Sequence, residues 1–315
     1  MDTTDGLTRR SFLHGTIAAG ASLAALGRGA TPARAAHHEG IKVGGFTKEY
    51  RTLSYDEVAD AVVEIGWDGV ECGVRSEPTG LVLPERVKDD LPRMVDALKK
   101  RDKELLVMAT NVLNPDQKYT EDVLRTGSAE GIKYYRIGYF NYDYDKSVKQ
   151  NLDEIKPQMR DLEAMNRELG ICGIFQNHSG GHAVGAPVWD IYELVKDLDP
   201  EYLAVDFDIG HATVEGGYAW RAHFNRIKDH LRGVVVKDFK WVYDEEEGEY
   251  NASWCPIGEG MIRREFIGML KATGFSGPVI MHHEYHVEGE GSARIENLKK
   301  AMKADTDTLR EWLKD

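Results

Sequence analysis

From residue 41 onward the chain alternates between two hydrophobic patterns. Short runs dense in Val, Ile, Leu and aromatic residues predict strands at "IKVGGF" from 41, "GVECGV" from 69, "ELLVMAT" from 104 and "YYRIGY" from 134. Four more follow: "ICGIFQ" from 171, "LAVDFD" from 203, "GVVVKDF" from 233 and "GPVIMHHEY" from 277. Between them lie longer stretches with apolar residues three and four apart, such as "SYDEVADAVVEIG", "ERVKDDLPRMVDALKKR", "SVKQNLDEIKPQMRDLEAMNRELG" and "REFIGMLKATG", which predict amphipathic helices. Ser54 with Glu57 reads as a capping box, and Gly66, Gly170 and Gly274 each follow a last helical turn. Eight alternations in one chain predict an α/β fold closed into a single (β/α)8 TIM barrel rather than an open doubly wound sheet. Neither a GxGxxG nor a GxxxxGK[ST] phosphate loop supports the open sheet. The acidic segment "VYDEEEGEYNASWCPIGEG" reads as an elaborated loop after the seventh strand.

The N-terminal residues have a different character. Arg9 and Arg10 precede the Ala- and Gly-rich "TIAAGASLAALG" and then "TPARAA", the order of a twin-arginine export leader over residues 1–35. Cleavage after Ala35 leaves residues 36–315 as the barrel domain and implies a periplasmic or secreted protein. A chain of that length builds one large core. The formal charge of −13 becomes −15 once the leader's four arginines and two aspartates are set aside. So acidic a surface argues against nucleic acid and anionic membranes as partners. No apolar run after the leader reaches the roughly 18 residues of a membrane helix. Cys72, Cys172 and Cys255 are too few and too scattered for a disulfide framework, and Cys172 reads as core. Oligomeric state is left open by the sequence.

In such a barrel the active site forms where the strands end and the following loops converge. Six histidines fall at or just past strand ends: His178, His182, His211, His282, His283 and His286. Strand five runs into Gln176, Asn177 and His178. In "DFDIGHA", Asp206 and Asp208 share a strand face and His211 follows. The plain structural alternative makes Asp208 a helix cap and bonds His211 to a neighbouring loop. Lys237 and Asp238 interrupt an apolar strand and point to opposite sides, so one faces the mouth and the other is expected in a structural salt bridge. His282 and Glu284 point one way, His283 and Tyr285 the other. Glu71, Arg75 and Arg136 complete a polar rim suited to an anionic or polyol substrate, unless the arginines pair with Glu71. Trp220, Trp241 and Trp254 are candidates for stacking on a sugar ring or for covering the barrel, and Trp241 is taken for the substrate site.

These strand ends resemble the xylose isomerase-like TIM-barrel superfamily, the sugar phosphate isomerase/epimerase group, over about residues 41 to 313. The similarity is closest to a secreted branch and rests on "GWDGVECGVR", "VLPE", "KYYRIGYF", "QNHSGG", "VGAPVWDIY", "KDLDP", "DIGHATVEGG", "VVVKDFKW", "PIGEGM" and "GPVIMHHEY". The resemblance implies proton abstraction beside a sugar carbonyl. It also implies one divalent ion, commonly manganese, held by Glu, Asp, His and Glu on strands five to eight. Those positions correspond here to Gln176, Asp208, Val235, and His282 or Glu284. A rebuilt set of Gln176, Asp208 and His282, binding manganese or zinc, is one expectation. The other is a site without metal, in which Lys237 and the histidines supply positive charge.

The catalytic candidates are therefore Glu284, His178, Lys237 and His211, with Glu284 or His178 as the base. Glu71, Arg75, Arg136, Asn177 and Trp241 are the candidates for binding a small carbohydrate. The expected activity is sugar isomerisation or epimerisation through an enediolate. Two alternatives stand beside it: a periplasmic 3-keto-glycoside lyase that eliminates the aglycone through the same enolate, and a non-catalytic carbohydrate-binding protein on the same barrel.

Overall fold

The computed structural model describes residues 40–76 and 78–314; the expected leader, residues 1–35, lies outside the described residues. Ten strands follow in chain order. They are β1 (Lys42–Phe46), β2 (Gly69–Gly73), β3 (Glu104–Ala109), β4 (Tyr134–Arg136), β5 (Cys172–Gln176), β6 (Leu203–Asp208), β7 (Leu231–Val236), β8 (Asp238–Asp244), β9 (Glu249–Cys255) and β10 (Pro278–Met281). The helices are α1 (Tyr55–Ile65), α2 (Val87–Lys99), α3 (Thr120–Ala129), α4 (Val148–Leu169), α5 (Val188–Val195), α6 (Ile209–Gly216), α7 (Trp220–Ile227), α8 (Glu265–Ala272) and α9 (Gly291–Lys314). Eight strands close a parallel barrel in the order β1, β10, β7, β6, β5, β4, β3, β2. All eight expected strands are the barrel strands.

Local sequence accounts for several boundaries. Ser54 and Glu57 form the reciprocal capping box that starts α1, and Ser147 with Gln150 does the same for α4. Gly66 and Gly170 close those helices with φ of 88° and 69°, a conformation that costs a side-chain-bearing residue about 1 kcal/mol.

The core has two layers. Inside the barrel Leu106, Cys172, Ile174, Ala204 and Ile280 pack together, with Phe46 nearer the carboxyl end. Cys172 is thus a core residue. Outside, the helices cover the strands: Phe207 of β6 meets Phe224 of α7 and Phe266 of α8 at centroid distances of 5.6 and 5.9 Å. Burying each ring contributes about 2 to 3 kcal/mol. Two irregularities interrupt the barrel's ladder, between Val70 and Glu71 and between Val205 and Asp206. Both fall next to carboxylates that point into the mouth region, where a bulge re-aims a side chain.

The segment expected to be a loop after the seventh strand is instead an antiparallel hairpin. Its strands β8 and β9 pair from Asp238 opposite Cys255 out to Asp244 opposite Glu249. Its root is held by Asp238, and not through the expected salt bridge. The carboxylate accepts from the backbone N–H groups of Phe239, Gly258, Gly260 and Ile262 at 2.8 to 3.0 Å. A buried carboxylate needs compensation, and four amide dipoles supply it as well as one cation would. Gly260 is required there, since a Cβ would lie 2.3 Å from Asp238 Oδ1.

Replacing Asp238 by Ala should orphan those amides and lower unfolding free energy by about 3 kcal/mol, since each hydrogen bond to a charged group is worth about 1.5 to 3 kcal/mol. Denaturant titration measures this. A loss below about 0.5 kcal/mol would mean that the hairpin root does not depend on this carboxylate.

Candidate active site

The polar side chains at the carboxyl ends of the strands form one connected chain around the mouth. His282 Nε2 lies 2.7 Å from Glu71 Oε2, and Arg136 Nε lies 3.3 Å from Glu71 Oε1. Arg136 and the Tyr139 hydroxyl both donate to Gln176 Oε1 at 2.5 Å, and Gln176 Nε2 donates to Asp208 Oδ2 at 2.9 Å. Asp208 Oδ2 is 3.3 Å from Lys237 Nζ, which is 3.2 Å from Glu284 Oε2, and Glu284 Oε1 takes Lys48 Nζ at 2.9 Å. Most of these groups are buried, so each survives there by being paired.

Lys237 is the hub. Its Nζ contacts His211 Nε2 at 2.6 Å as well as the two carboxylates, and it lies 4.6 Å from the centroid of the Trp254 ring. Gly210 makes room for it: a Cβ at 210 would sit 2.7 Å from Lys237 Cγ. Lys237 therefore takes the mouth and Asp238 the hairpin root, as alternation at the end of β7 requires. Lys237 and Lys48 hold the Glu284 carboxyl far below the usual range against the opposing effect of its burial. A carboxylate so stabilised is a poor proton acceptor, and both its oxygens are engaged. Glu284 is a counter-ion for Lys237 and Lys48.

The imidazoles do better. His178 and His211 stack with centroids 3.9 Å apart. His211 Nε2 faces the Lys237 donor, so its Nδ1 carries the proton and donates to Ser179 Oγ at 2.7 Å. Burial, then Lys237 and His178, push its pKa well below the ordinary value, keeping it neutral. His178 Nδ1 donates to the Ser179 carbonyl at 2.8 Å, which fixes a tautomer with a lone pair on Nε2. Burial lowers its pKa too, which keeps His178 neutral. Tyr139 packs edge-on to His178 at 5.0 Å, and burial raises its phenol to about 12, keeping it a donor.

The structure brings Gln176, His178, Asp208, His211, Lys237, Glu284, His282, Glu71 and Arg136 together. Two other candidates make contacts elsewhere. Asn177 uses both side-chain polar atoms on the backbone of Asp208, accepting from its N–H at 2.8 Å and donating to its carbonyl at 2.9 Å. It aligns β5 with β6. Trp241 shares a hairpin face with Phe239 but sits farther from the mouth, 43% exposed; Trp254, opposite Phe239, is the ring over Lys237 and His211. Trp220 is buried against Phe266. Asp208 does cap α6, through Oδ1 to the His211 N–H at 2.9 Å, while Oδ2 faces the site. His283 lies with Tyr285 against Asp305 of α9, and His182 and His286 are exposed. Sequence reasoning missed Tyr139, Ser179 and Lys48. All three lie beyond strand ends, Lys48 in a short helical turn after β1 and the others in loops, where the alternation of side chains no longer indicates direction.

The expected metal set does not fit. The oxygen of Gln176 already accepts from Arg136 and Tyr139, His282 is bonded to Glu71, and only Asp208 of the three reaches Lys237. The site's position for positive charge is filled by the lysine. Its contacts of 2.6 to 3.3 Å are hydrogen-bond lengths, against about 2.0 to 2.2 Å for zinc to nitrogen or oxygen. Among the described residues no group of three or more His, Cys, Asp or Glu is arranged to hold a metal. The protein should therefore keep its melting temperature in chelator, whereas Lys237→Ala should gain stabilisation by manganese or zinc at Asp208, His211 and Glu284. Metal analysis and thermal melts check both. One tightly held ion per wild-type chain, with melting lowered on its removal, would refute this assignment.

A cavity at the opposite, amino end of the barrel, lined by Lys133, Tyr134, Arg232 and Phe275, contains none of these groups. Among the described residues no helix is long and apolar enough to cross a membrane. Solved structures share the fold. A D-tagatose 3-epimerase-like protein matches with a TM-score of 0.63 and 18% identity, covering 87% of this chain and 97% of that one. The 3-keto-D-glucoside 4-epimerase of E. coli matches at 0.61 and 14% over 83% and 98%. A xylose isomerase-like TIM barrel protein from Mycobacterium smegmatis in complex with magnesium matches at 0.59 and 12% over 86% and 99%. In sequence, an uncharacterized protein of Methanocaldococcus jannaschii is 24% identical over 178 residues, 56% of this chain and 54% of that protein, so the match spans about half the relative's length. The model of one family matches residues 59–314, and the chain belongs to it: the xylose isomerase-like TIM barrel family.

Proposed function

We propose that the protein is a sugar isomerase or epimerase that moves a proton on the carbon next to a carbonyl, with His178 as base and Lys237 as the positive charge at the carbonyl oxygen. One observation carries this: a buried lysine is fixed beside a stacked imidazole pair, and the outer imidazole presents an unprotonated Nε2. His178 Nε2 takes the proton, the C–H electron pair becomes the enolate double bond, and the carbonyl oxygen gains the negative charge that Lys237 faces. Return of a proton to the other face gives an epimer; transfer to the neighbouring carbon, with the adjacent hydroxyl proton passing to the oxyanion, gives an isomer. Positive charge already in place at the developing oxyanion needs no reorganisation during the step. Tyr139 and Arg136 are further donors beside Gln176 for the sugar oxygens.

The family and the epimerases that share its fold support the sugar-isomerase class. The 3-keto-D-glucoside named for one of those structures is a carbonyl sugar of the kind this site would enolise. With such a substrate the same enolate can expel the aglycone, so a lyase differs only in the fate of the intermediate. We further propose export: Arg9 and Arg10 ahead of the Ala-rich segment direct the chain to the periplasm or beyond.

Incubation of the protein with 3-keto-glucosides and free ketoses in deuterated water should place deuterium beside the carbonyl. His178→Ala should slow incorporation by about 10² to 10⁴-fold, the range for a general base. Because the His178 pKa lies below the ordinary 6.5, the base is already neutral at pH 7. The rate should be flat there and fall only as pH drops below about 6.5. Aglycone release would identify the lyase. Sugar binding with no exchange at any pH would leave a carbohydrate-binding protein.

A further inference from the structure

The charges at the mouth divide into two groups. Lys48 and Lys237 face Glu284 and Asp208, two cations against two anions. In the other group Arg136 faces Glu71 at 3.3 Å, and Arg75 adds a second guanidinium that makes no salt bridge to any described residue. The two arginines share one aromatic surface: their guanidinium carbons lie 5.1 and 5.2 Å from the Phe46 ring centroid. Three buried polar atoms in this half lack a hydrogen-bond partner, namely Arg75 Nε, Arg136 Nε and Glu71 Oε1. Arg136 Nε and Glu71 Oε1 face each other at 3.3 Å as an ion pair, which leaves Arg75 Nε as the buried donor with neither a hydrogen bond nor an ion pair. Buried polar atoms are paired in the great majority of cases, so it points to a missing partner.

No neighbouring group cancels the extra charge. Burial lowers the pKa of His282 despite Glu71, which keeps the imidazole neutral, and burial with Glu71 raises that of Asp206, which favours its uncharged acid. Burial, and then Arg136, weakens the hold of Arg75 on its proton, as expected of a cation short of an anion. The half-site holds an excess of one positive charge inside an acidic protein.

We propose that Arg75 binds the carboxylate of the substrate, which makes the substrate a sugar acid, such as a keto-uronate or keto-aldonate, rather than a neutral ketose. This rests on the sugar-enzyme reading above. One surplus positive charge matches a single carboxylate, and a planar guanidinium with free N–H groups is the side chain suited to a two-point contact with it. A doubly charged phosphate would exceed the single surplus positive charge of this half-site.

Calorimetric titration of the full chain tests this with D-glucuronate, D-galacturonate and D-gluconate, against D-glucose, D-galactose and glucose 6-phosphate. At least one acid should bind about tenfold or more tightly than its neutral counterpart. Arg75→Met should bring that ratio close to one at an unchanged melting temperature, and Arg75→Lys should restore part of it. Acids that bind no better than neutral sugars, a preference that survives in Arg75→Met, or tighter binding of the sugar phosphate would each overturn the proposal. Deuterium exchange into neutral ketoses without any acid preference would remove this inference and leave the proton-transfer reading standing. Acid preference without exchange would do the reverse.

Discussion

A buried ammonium beside two carboxylates and an imidazole is the constraint on which the carboxyl end of this barrel depends. Removing an ammonium from water costs several kcal/mol, and close opposite charges offset that cost only when the geometry is tight. Asp208 and Glu284 come from distant parts of the chain, so Lys237 fixes the end of β6 against the segment after β10. Gly210, the cap of α6 and the Asn177 clamp all serve the same position. Gly210 gives the lysine space, and the cap and the clamp hold the Asp208 carboxylate and backbone in register. Removing one partner would leave a charge without compensation in a site closed by Trp254.

The same lysine sets the chemistry of its neighbours. Because its proton points at His211 Nε2, that ring is fixed in one tautomer and its other nitrogen must donate to Ser179. Ser179 then presents its carbonyl to His178, whose remaining nitrogen is left as an acceptor. Both imidazoles therefore meet Ser179, His211 through its hydroxyl and His178 through its carbonyl, in the loop after β5. Glu284 belongs to the same arrangement as a fixed negative charge.

Much of the barrel was legible in the sequence because a strand inside a parallel barrel is apolar on both faces and short. The expected runs at 203 and 233 match β6 and most of β7, while β4 is only Tyr134–Arg136, since the chain leaves the ladder before Gly138. The hairpin was not legible in this way, as most of β8 and β9 is exposed and carries no core pattern. Its one signal was aromatic alternation, Phe239, Trp241 and Tyr243 against Tyr250 and Trp254 around an acidic turn. Residues on strand ends were found at the site because a period of two fixes their direction. Trp241 was displaced and Tyr139 overlooked because loop geometry decides their positions. The alignment of a metal-binding histidine with Val235 was misleading for a related reason. Val235 is buried in register with Asp208 and Ile280, and the polar group that faces the mouth lies two residues on, at Lys237.

Adjacent residues Lys237 and Asp238 divide the end of β7 between two tasks. One side chain sits at the centre of the polar cluster in the mouth, and the other ties down the root of the hairpin. The tip of that hairpin, around Asp244 to Glu249, stands at the far end of the seven-pair ladder from its root at Asp238 and Cys255. A change of length or sequence at the tip can therefore drift freely over evolutionary time while the root stays fixed. Such a tip is a place where new surface recognition can arise without disturbing the buried lysine at the root.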